Sequence, residues 1–160
     1  LPYTRYLAGP ADYTTMLFNE RRRDSTVAHQ IATMVVFASP LLTIAANPTN
    51  LLASPAVDVI RKIPATWDET IVLAGSEIGE AAVFARRSGR RWFLAVMCGP
   101  APKTIPVSLS FLGSGSHSAT VIRDDAPDGS TTKVEPATYR ASDTISLVLR
   151  SGGGLVVSFE

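Results

Sequence analysis

The chain has 160 residues, which is enough to bury a substantial core in one domain or in one and a half. It carries 15 basic and 14 acidic residues, and the resulting net charge of +1 gives no electrostatic reason to expect a nucleic-acid partner. Only 18% of the residues are charged, against about 25% in an ordinary soluble domain, which indicates that part of the surface is covered by further polypeptide or by a partner.

The most apolar run extends from Ile31 to Ala46, and it predicts no membrane span. It is interrupted by Ser39-Pro40 and is shorter than the roughly 20 residues that a spanning helix needs. The single cysteine, Cys98, excludes an intrachain disulfide and, at the end of an apolar strand, is interpreted as a small core residue. The chain opens on Leu1 without an initiator methionine, so we expect it to be cut from a longer protein.

The first elements are short. An extended segment is predicted from Leu1 to Leu7, because Pro2 steers the preceding residue away from helix and tyrosine and threonine favour strand. From Ala11 to Arg23 no clean period is present. The basic run Glu20 to Arg23 is interpreted as a solvated loop, with a clamp for phosphate or substrate as the alternative.

A helix is predicted to begin near Asp24 or Ser25, which can cap it, and to end before Pro40. The next run, Leu41 to Ala46, is continuously apolar, which is typical of a strand covered on both faces in a parallel sheet or barrel. Ser54-Pro55 predicts the start of a second helix. This alternation of strand and helix is typical of α/β architecture.

The segment from Ile63 to Gly75 separates this α/β part from a series of short strands joined by glycine-containing turns. The predicted strands are Thr70 to Ala74, Ala81 to Arg87, Arg91 to Cys98, Ile105 to Leu109, Ser118 to Asp124, Lys133 to Tyr139, Thr144 to Leu149 and Gly154 to Phe159. Many short strands without an intervening helix indicate an antiparallel β-sandwich. The arginines of the predicted hairpin tip between them, Arg86 to Trp92, are interpreted as edge protection, not as a binding site.

Residues that carry chemistry are few. His29 and His117 are far apart, and no cysteine or acid near either gives metal-ligand spacing. The adjacent acids Asp68 and Glu69 are interpreted as partners of backbone amides rather than as catalytic groups. Asp12 follows a glycine-proline break after a predicted strand, where barrel enzymes place functional side chains.

Several segments, in order, resemble glycoside hydrolase family 97, a family of bacterial α-glucosidases and α-galactosidases. Leu1 to Arg5 and Gly9 to Thr14 resemble its LPFTR and GPMDYT motifs, and Pro64 to Thr70 resembles its PTTWDET motif. Further matching segments are Thr26 to Gln30, Val36 to Leu41, Ala85 to Gly89 with Trp92, Ser108 to Leu112 and Ala119 to Asp124. The resemblance therefore runs through nearly the whole chain.

The resemblance implies a parent enzyme with an N-terminal β-sandwich, a central (β/α)8 barrel and a C-terminal β domain. Residues 1–66 are then expected to be the C-terminal part of the barrel, and residues 67–160 the C-terminal antiparallel β-sandwich. The implied function is hydrolysis of α-glucosides or α-galactosides by the parent enzyme. The implied partners are the upstream part of the same enzyme and an oligosaccharide substrate, and the implied location is periplasmic or secreted.

The chemistry of the family requires a general acid, a nucleophile or base, and a calcium ion held largely by glutamates. These residues are expected upstream, so no catalytic residue, metal ligand or cofactor is assigned to this chain, and Ca²⁺ is implied for the parent only. By resemblance Arg5 and Asp12 are predicted to bind substrate, whereas Ala46 stands where relatives often carry an aspartate. Trp67 is interpreted as structural, with sugar stacking as the alternative. A non-catalytic carbohydrate-binding or structural β-sandwich module is the alternative for the whole chain.

Overall fold

A computed structural model describes residues 1–160, except for the side chain of Leu7. The chain forms three α-helices, α1 (Val27–Val36), α2 (Pro48–Leu52) and α3 (Val57–Ile60), and two 3-10 turns, Arg5–Leu7 and Glu20–Arg22. The ten strands are β1 (Tyr13–Met16), β2 (Leu42–Ala45), β3 (Glu69–Val72), β4 (Ala81–Ser88), β5 (Arg91–Cys98), β6 (Lys103–Ser108), β7 (Ser116–Asp124), β8 (Thr132–Arg140), β9 (Thr144–Leu149) and β10 (Gly154–Phe159).

The N-terminal part is a β1–α1–β2 unit in which the two strands pair in parallel. A parallel pair needs a crossover connection, and α1 supplies it. The helix begins one or two residues later than predicted, because Thr26 caps it by accepting a hydrogen bond from the His29 amide at 3.0 Å. It ends at Val36, ahead of Pro40 as expected. The helix α2 was not predicted, and α3 lies within the helix predicted from Ser54-Pro55.

The prediction of an extended segment from Leu1 to Leu7 is wrong. These residues form turns and a 3-10 turn, which place Tyr3 and Tyr6 three residues apart on one side. Their rings stack on Phe84 and Phe37, with centroids 5.8 Å and 4.9 Å apart respectively. The strand instead lies at Tyr13–Met16, inside the region without a period, where the buried Thr15 hydroxyl donates to the Gln30 carbonyl at 2.9 Å.

The C-terminal part is mostly β-sheet, and all eight predicted strands are present with ends that differ from the predicted ones by at most two residues. Six strands form an antiparallel sheet in the order β3-β4-β5-β10-β7-β8, and β6 pairs with β9 in a second sheet. A hydrophobic cluster that includes Val83, Leu94, Val107 and Leu147 lies between the two sheets. The part after residue 68 is therefore an antiparallel sandwich with one large and one small sheet.

The other face of the six-stranded sheet packs against α1. A second hydrophobic cluster joins Ile31 and Val35 of the helix to Phe84, Phe93 and other residues of the sheet. Strands β4, β5 and β10 are consequently buried on both faces, which explains their nearly continuous apolar sequences.

The contact between helix and sheet is close at the backbone level. A Cβ atom on Gly154 would overlap the backbone of His29, so only glycine allows β10 to approach α1 at this point. The amides of Thr26 and Val27 donate to the carbonyls of Gly152 and Gly129 at 3.0 Å and 2.9 Å. Two turns of the sandwich thus satisfy amides at the N-terminus of α1, which would otherwise lack a partner.

Within the described part of the chain, no helix combines the length and apolar character needed to cross a membrane.

Candidate functional site

The parallel pair β1–β2 defines two edges. We call the side where Met16 pairs with Ala45 the C-terminal edge, and the side where Tyr13 pairs with Leu42 the N-terminal edge. In parallel α/β folds, ligands bind beyond the carboxyl ends of the strands. The C-terminal edge is therefore the first candidate for a functional site.

At the C-terminal edge, β1 leads into a loop that carries several polar side chains. Asn19 caps the 3-10 turn by accepting a hydrogen bond from the Arg21 amide at 2.9 Å, and Arg22 donates to the Ser25 carbonyl at 2.7 Å. Arg23 has a φ of 52°, which is uncommon for a residue other than glycine. A cavity of about 420 Å³ is lined by Phe18, Asn19, Glu20, Arg22 and Arg23. This loop offers both donors and acceptors to a polar ligand.

The loop after β2 contributes less at the C-terminal edge. Ala45 ends the strand and Ala46 follows it, and neither brings a polar side chain. Asn47 accepts a hydrogen bond from the Thr49 amide at 2.9 Å, which caps α2. A carboxylate at position 46, as the resemblance implies for relatives, is replaced here by a methyl group.

The two residues predicted to bind substrate lie elsewhere. Arg5 is exposed in the first 3-10 turn and donates to the Gly9 carbonyl at 3.2 Å, and Asp12 is exposed immediately before β1 begins. The premise that Asp12 follows a strand is wrong, because Leu1 to Leu7 form turns and the strand comes after Asp12. Both residues therefore lie on the N-terminal side of β1, and their role in substrate binding stays a prediction.

The segment that precedes β3 has structural contacts. The indole of Trp67 packs edge-on against Phe93, with centroids 5.5 Å apart and an interplanar angle of 82°. Asp68 accepts a hydrogen bond from the Gly89 amide at 2.7 Å, and Glu69 pairs with Arg87 at 3.1 Å. The interpretation of Asp68 as a partner of backbone amides is confirmed.

Other acids of the surface are also held in ion pairs. Lys103 pairs with Glu77 and Glu80, and the hydrogen bond from Lys103 lowers the pKa of Glu80. Lys62 and Arg91 pair with Glu160, and the hydrogen bond from Lys62 lowers the pKa of that carboxyl. These acids therefore have the environment of surface charges held in ion pairs.

Ca²⁺ takes roughly six to eight oxygen ligands, supplied mostly by carboxylates and carbonyls. Among the described residues, no three His, Cys, Asp or Glu side chains lie close enough together to hold a metal ion. The residues of this chain do not by themselves fit a calcium site.

Two titratable groups lie where α1 meets the sandwich. Burial lowers the pKa of His29, whose Nδ1 lies 3.1 Å from the Gly153 carbonyl oxygen. Burial raises the pKa of Asp124, whose Oδ2 accepts a hydrogen bond from the Gly154 amide at 3.3 Å. Cys98 is buried as predicted, and burial raises the pKa of its thiol. Burial of this kind favours the neutral form of each group.

Arg86 is the residue whose position sequence reasoning missed. It was interpreted as edge protection, but only 6% of its surface is exposed, and burial lowers the pKa of its guanidinium to about 10. Along β4 the face that carries Ala82 and Phe84 packs against the N-terminal part, and Arg86 continues that face. Because residues two apart in a strand lie on the same face, the spacing of Arg86 from Phe84 was the sequence signal that could have located it.

Comparison with known proteins places the chain. Residues 66–160 match the family model described as "Glycosyl-hydrolase 97 C-terminal, oligomerisation". A retaining alpha-galactosidase of Bacteroides thetaiotaomicron is 31% identical over 100% of this chain and 26% of its own length. A probable retaining alpha-galactosidase of Streptomyces bingchenggensis is 36% identical over 96% of this chain and 24% of its own length.

A solved structure gives the same result. A glycoside hydrolase family 97 enzyme from Pseudoalteromonas sp. strain K8, in complex with acarbose, is 32% identical and has a TM-score of 0.87, covering 100% of this chain and 28% of that one. The chain thus spans about a quarter of the length of these relatives. Because the family model covers more than half of the chain, the chain belongs to glycoside hydrolase family 97 and contains its C-terminal domain.

Proposed function

We propose that the full protein containing this chain is a retaining glycoside hydrolase that acts on α-galactosides. The observation that carries this proposal is similarity over the whole chain to two α-galactosidases, at 31% and 36% identity. An α-glucoside remains the second substrate class, because the structural relative from Pseudoalteromonas is described in complex with acarbose. The activity belongs to the full protein, since the chain covers only about a quarter of these relatives.

In this proposal residues 1–66 form the last part of a (β/α)8 barrel, and residues 67–160 form the attached β-sandwich. The parallel β1–α1–β2 unit supports a barrel, which is built from such units. The apolar strand β2 also supports a barrel, because the apolar residue just before it, Leu41, is 70% exposed here. In a closed barrel, both edges of β1 and β2 would be paired and these apolar side chains would be covered.

The reaction places two requirements on the barrel. A retaining glycosidase holds two carboxyl groups about 5–5.5 Å apart, one as nucleophile and one as acid and then base. We assign both carboxyl groups, and the calcium ligands implied by the family, to upstream polypeptide. Calcium, when bound there, would supply positive charge beside the substrate. The part of this chain is to close the barrel and to place the loop Phe18 to Arg23 at the C-terminal edge, beside the substrate.

A second function, assembly of the enzyme into oligomers, is favoured by the description of the family model. The small sheet leaves part of the large sheet uncovered, and a groove of about 1140 Å³ lies between them. Its floor includes Val121, Ala137 and Leu147, and the nearby Val148 is 82% exposed. We propose that a second copy of the protein covers this surface.

Val148→Asp tests the proposed assembly surface. The substitution would place a charge in an apolar contact, so the full-length enzyme should shift towards monomer in size-exclusion chromatography with light scattering. Val72→Asp, at an exposed apolar position on β3 at the opposite end of the six-stranded sheet, is the matched control and should leave the size unchanged. An unchanged size for Val148→Asp would contradict the proposed surface.

The enzymatic proposal is tested with the full-length protein and nitrophenyl glycosides. We expect turnover of the α-galactoside to exceed that of the α-glucoside, and the first sugar product to retain the α-configuration in proton NMR. Turnover of neither glycoside would contradict the proposal. Calorimetric titration of the 160-residue chain with oligosaccharides tests the alternative of a carbohydrate-binding module, which requires measurable binding. A periplasmic or secreted location is proposed from the family and is tested by fractionation of producing cells.

A further inference from the structure

Arg86 lies in a cavity between the two parts of the chain. The cavity has a volume of about 270 Å³ and is lined by the loops before β1 and β2, by the segment before β3, and by Arg86 itself. The residues of the two loops are Pro10, Ala38, Ser39 and Pro40, and those of the segment include Ala65, Thr66 and Trp67. Since Pro10 and Pro40 precede their strands, the cavity opens at the N-terminal edge, away from the proposed substrate side.

The guanidinium of Arg86 lacks hydrogen-bond acceptors. Its Nε and Nη1 atoms are buried and have no acceptor among the described residues. Asp68, which precedes β3, and Glu69, which begins it, pair with the neighbouring Arg87 at 3.8 Å and 3.1 Å respectively. With a pKa of about 10, the Arg86 side chain carries its charge at neutral pH. A buried charge without a partner is strongly destabilising, so such groups in proteins are normally paired.

Aromatic rings compensate only part of this cost. The Cζ atom of Arg86 lies 5.7 Å from the ring centroid of Trp67 and 5.6 Å from that of Phe84. Ring faces attract a cation, but they offer no oxygen lone pair to the N–H groups of a guanidinium. The two rings therefore orient Arg86 and leave donors free towards the cavity.

We propose that the carboxylate of an Asp or Glu side chain from the remaining polypeptide of the full-length enzyme enters this cavity and pairs with Arg86. A carboxylate supplies both the negative charge and the acceptor oxygens that the guanidinium lacks. The inference rests on the proposed function in one respect, namely that the rest of a barrel lies beside β1 and β2. Each of these strands pairs on one side only within the described chain, and loops of the polypeptide that completes the sheet would reach the N-terminal edge.

The direction in which one substitution changes the melting temperature distinguishes a paired Arg86 from an unpaired one. In the full-length enzyme, Arg86→Met removes the charge and keeps an unbranched apolar side chain. If a buried carboxylate is the partner, its charge is left uncompensated, and the melting temperature should fall by about 5 °C or more. If Arg86 is unpaired or contacts water only, the same substitution removes a buried charge, and an unchanged or higher melting temperature would overturn the proposal.

Arg87→Met is the matched control. Arg87 lies on the same strand, but its ion pairs with Asp68 and Glu69 are partly exposed. We therefore expect the melting temperature to change by less than about 2 °C. Arg86→Lys keeps the charge and should fall between wild type and Arg86→Met.

The partner acid can be identified by a second substitution that rescues Arg86→Met. This experiment is also informative if Arg86→Met alone yields little folded enzyme. Each upstream Asp or Glu is changed to its amide in the wild type and in the Arg86→Met background. One such change should lower the melting temperature in the wild type and raise the melting temperature or the soluble yield in the Arg86→Met background. Absence of any rescuing position would overturn the proposal. Glycosidase activity is read separately, because loss of the Arg86 pair predicts lower stability with the same substrate preference, whereas failure of the proposed function is seen as no turnover by the wild type.

Discussion

The sandwich and the β1–α1–β2 unit differ in how completely each one pairs its own backbone. In the sandwich, the consecutive strands β3–β4, β4–β5 and β7–β8 form hairpins, and the six-stranded sheet is built from antiparallel neighbours. In the β1–α1–β2 unit, each of the two parallel strands lacks a neighbouring strand on its outer side, and the helix packs on the sandwich. A two-stranded sheet is marginal by itself. The sandwich therefore has the features of a domain with its own core, while the β1–α1–β2 unit leaves the outer side of each of its two strands unpaired.

The hydrophobic core that the two regions share shows how the β1–α1–β2 unit is attached to the sandwich. The helix α1 buries its apolar face against β4, β5 and β10 and not against β1 and β2 alone. Its N-terminal amides bond to turns of the sandwich. The sandwich thus holds the β1–α1–β2 unit in a fixed position, as the proposed place of this unit in a barrel wall requires.

The largest predicted effect concerns the closest approach between the two regions. In the full-length enzyme, Gly154→Ala forces α1 and β10 apart, because the added methyl group meets the backbone of His29, which cannot rotate away. We expect a loss of about 3 kcal/mol in the free energy of unfolding, measured by denaturant titration of the transition that includes α1.

Gly113→Ala is the matched control for this prediction. Gly113 lies in an exposed turn where a Cβ would meet no atom within 4 Å, so its substitution should change stability by less than about 0.5 kcal/mol. Equal effects of the two substitutions would show that the two regions are not in the tight contact described here.

A smaller effect is expected from the histidine at the same contact. The pKa of His29 is lowered by burial, so the unfolded chain binds a proton at higher pH than the folded chain does. The stability contributed by neutral His29 is therefore present above about pH 6.5 and is lost as the pH falls from there towards the folded pKa. Melting temperatures of wild type and His29→Gln, measured from pH 8 to pH 5, should converge as the pH falls. Because Asp124 faces His29 and has a raised pKa, Asp124→Asn is measured in parallel. A difference between wild type and His29→Gln that does not change with pH would contradict the assignment.

The smallest effect is expected at Asp12. Because Asp12 precedes β1, we expect Asp12→Asn to change the KM of the full-length enzyme for an α-galactoside by less than about twofold, and Arg5→Ala to do the same. Asn19→Ala, in the loop at the C-terminal edge, should raise KM more than either. A rise of about tenfold for Asp12→Asn would support the role in substrate binding predicted from the sequence.

The sequence predicts the sandwich better than the N-terminal part, for physical reasons. Strands such as β5 and β10 carry long apolar runs bounded by glycine turns, and these are local signals. The strand β1 has only four residues, and its buried Thr15 is satisfied by Gln30, which is a contact made after folding. The burial of Arg86 likewise depends on Trp67, which approaches from another segment. The site residues were placed wrongly relative to β1 because the turns from Leu1 to Leu7 are fixed by aromatic stacking on distant rings.

A crystal structure of the full-length enzyme tests the central claim most directly, namely that the β1–α1–β2 unit is a barrel segment held by the sandwich. We predict that upstream strands pair in parallel with the outer edges of both β1 and β2 and cover Leu41, while α1 keeps its contact with β10. Outer edges of β1 and β2 that face solvent, or that pair with antiparallel strands, would contradict the account.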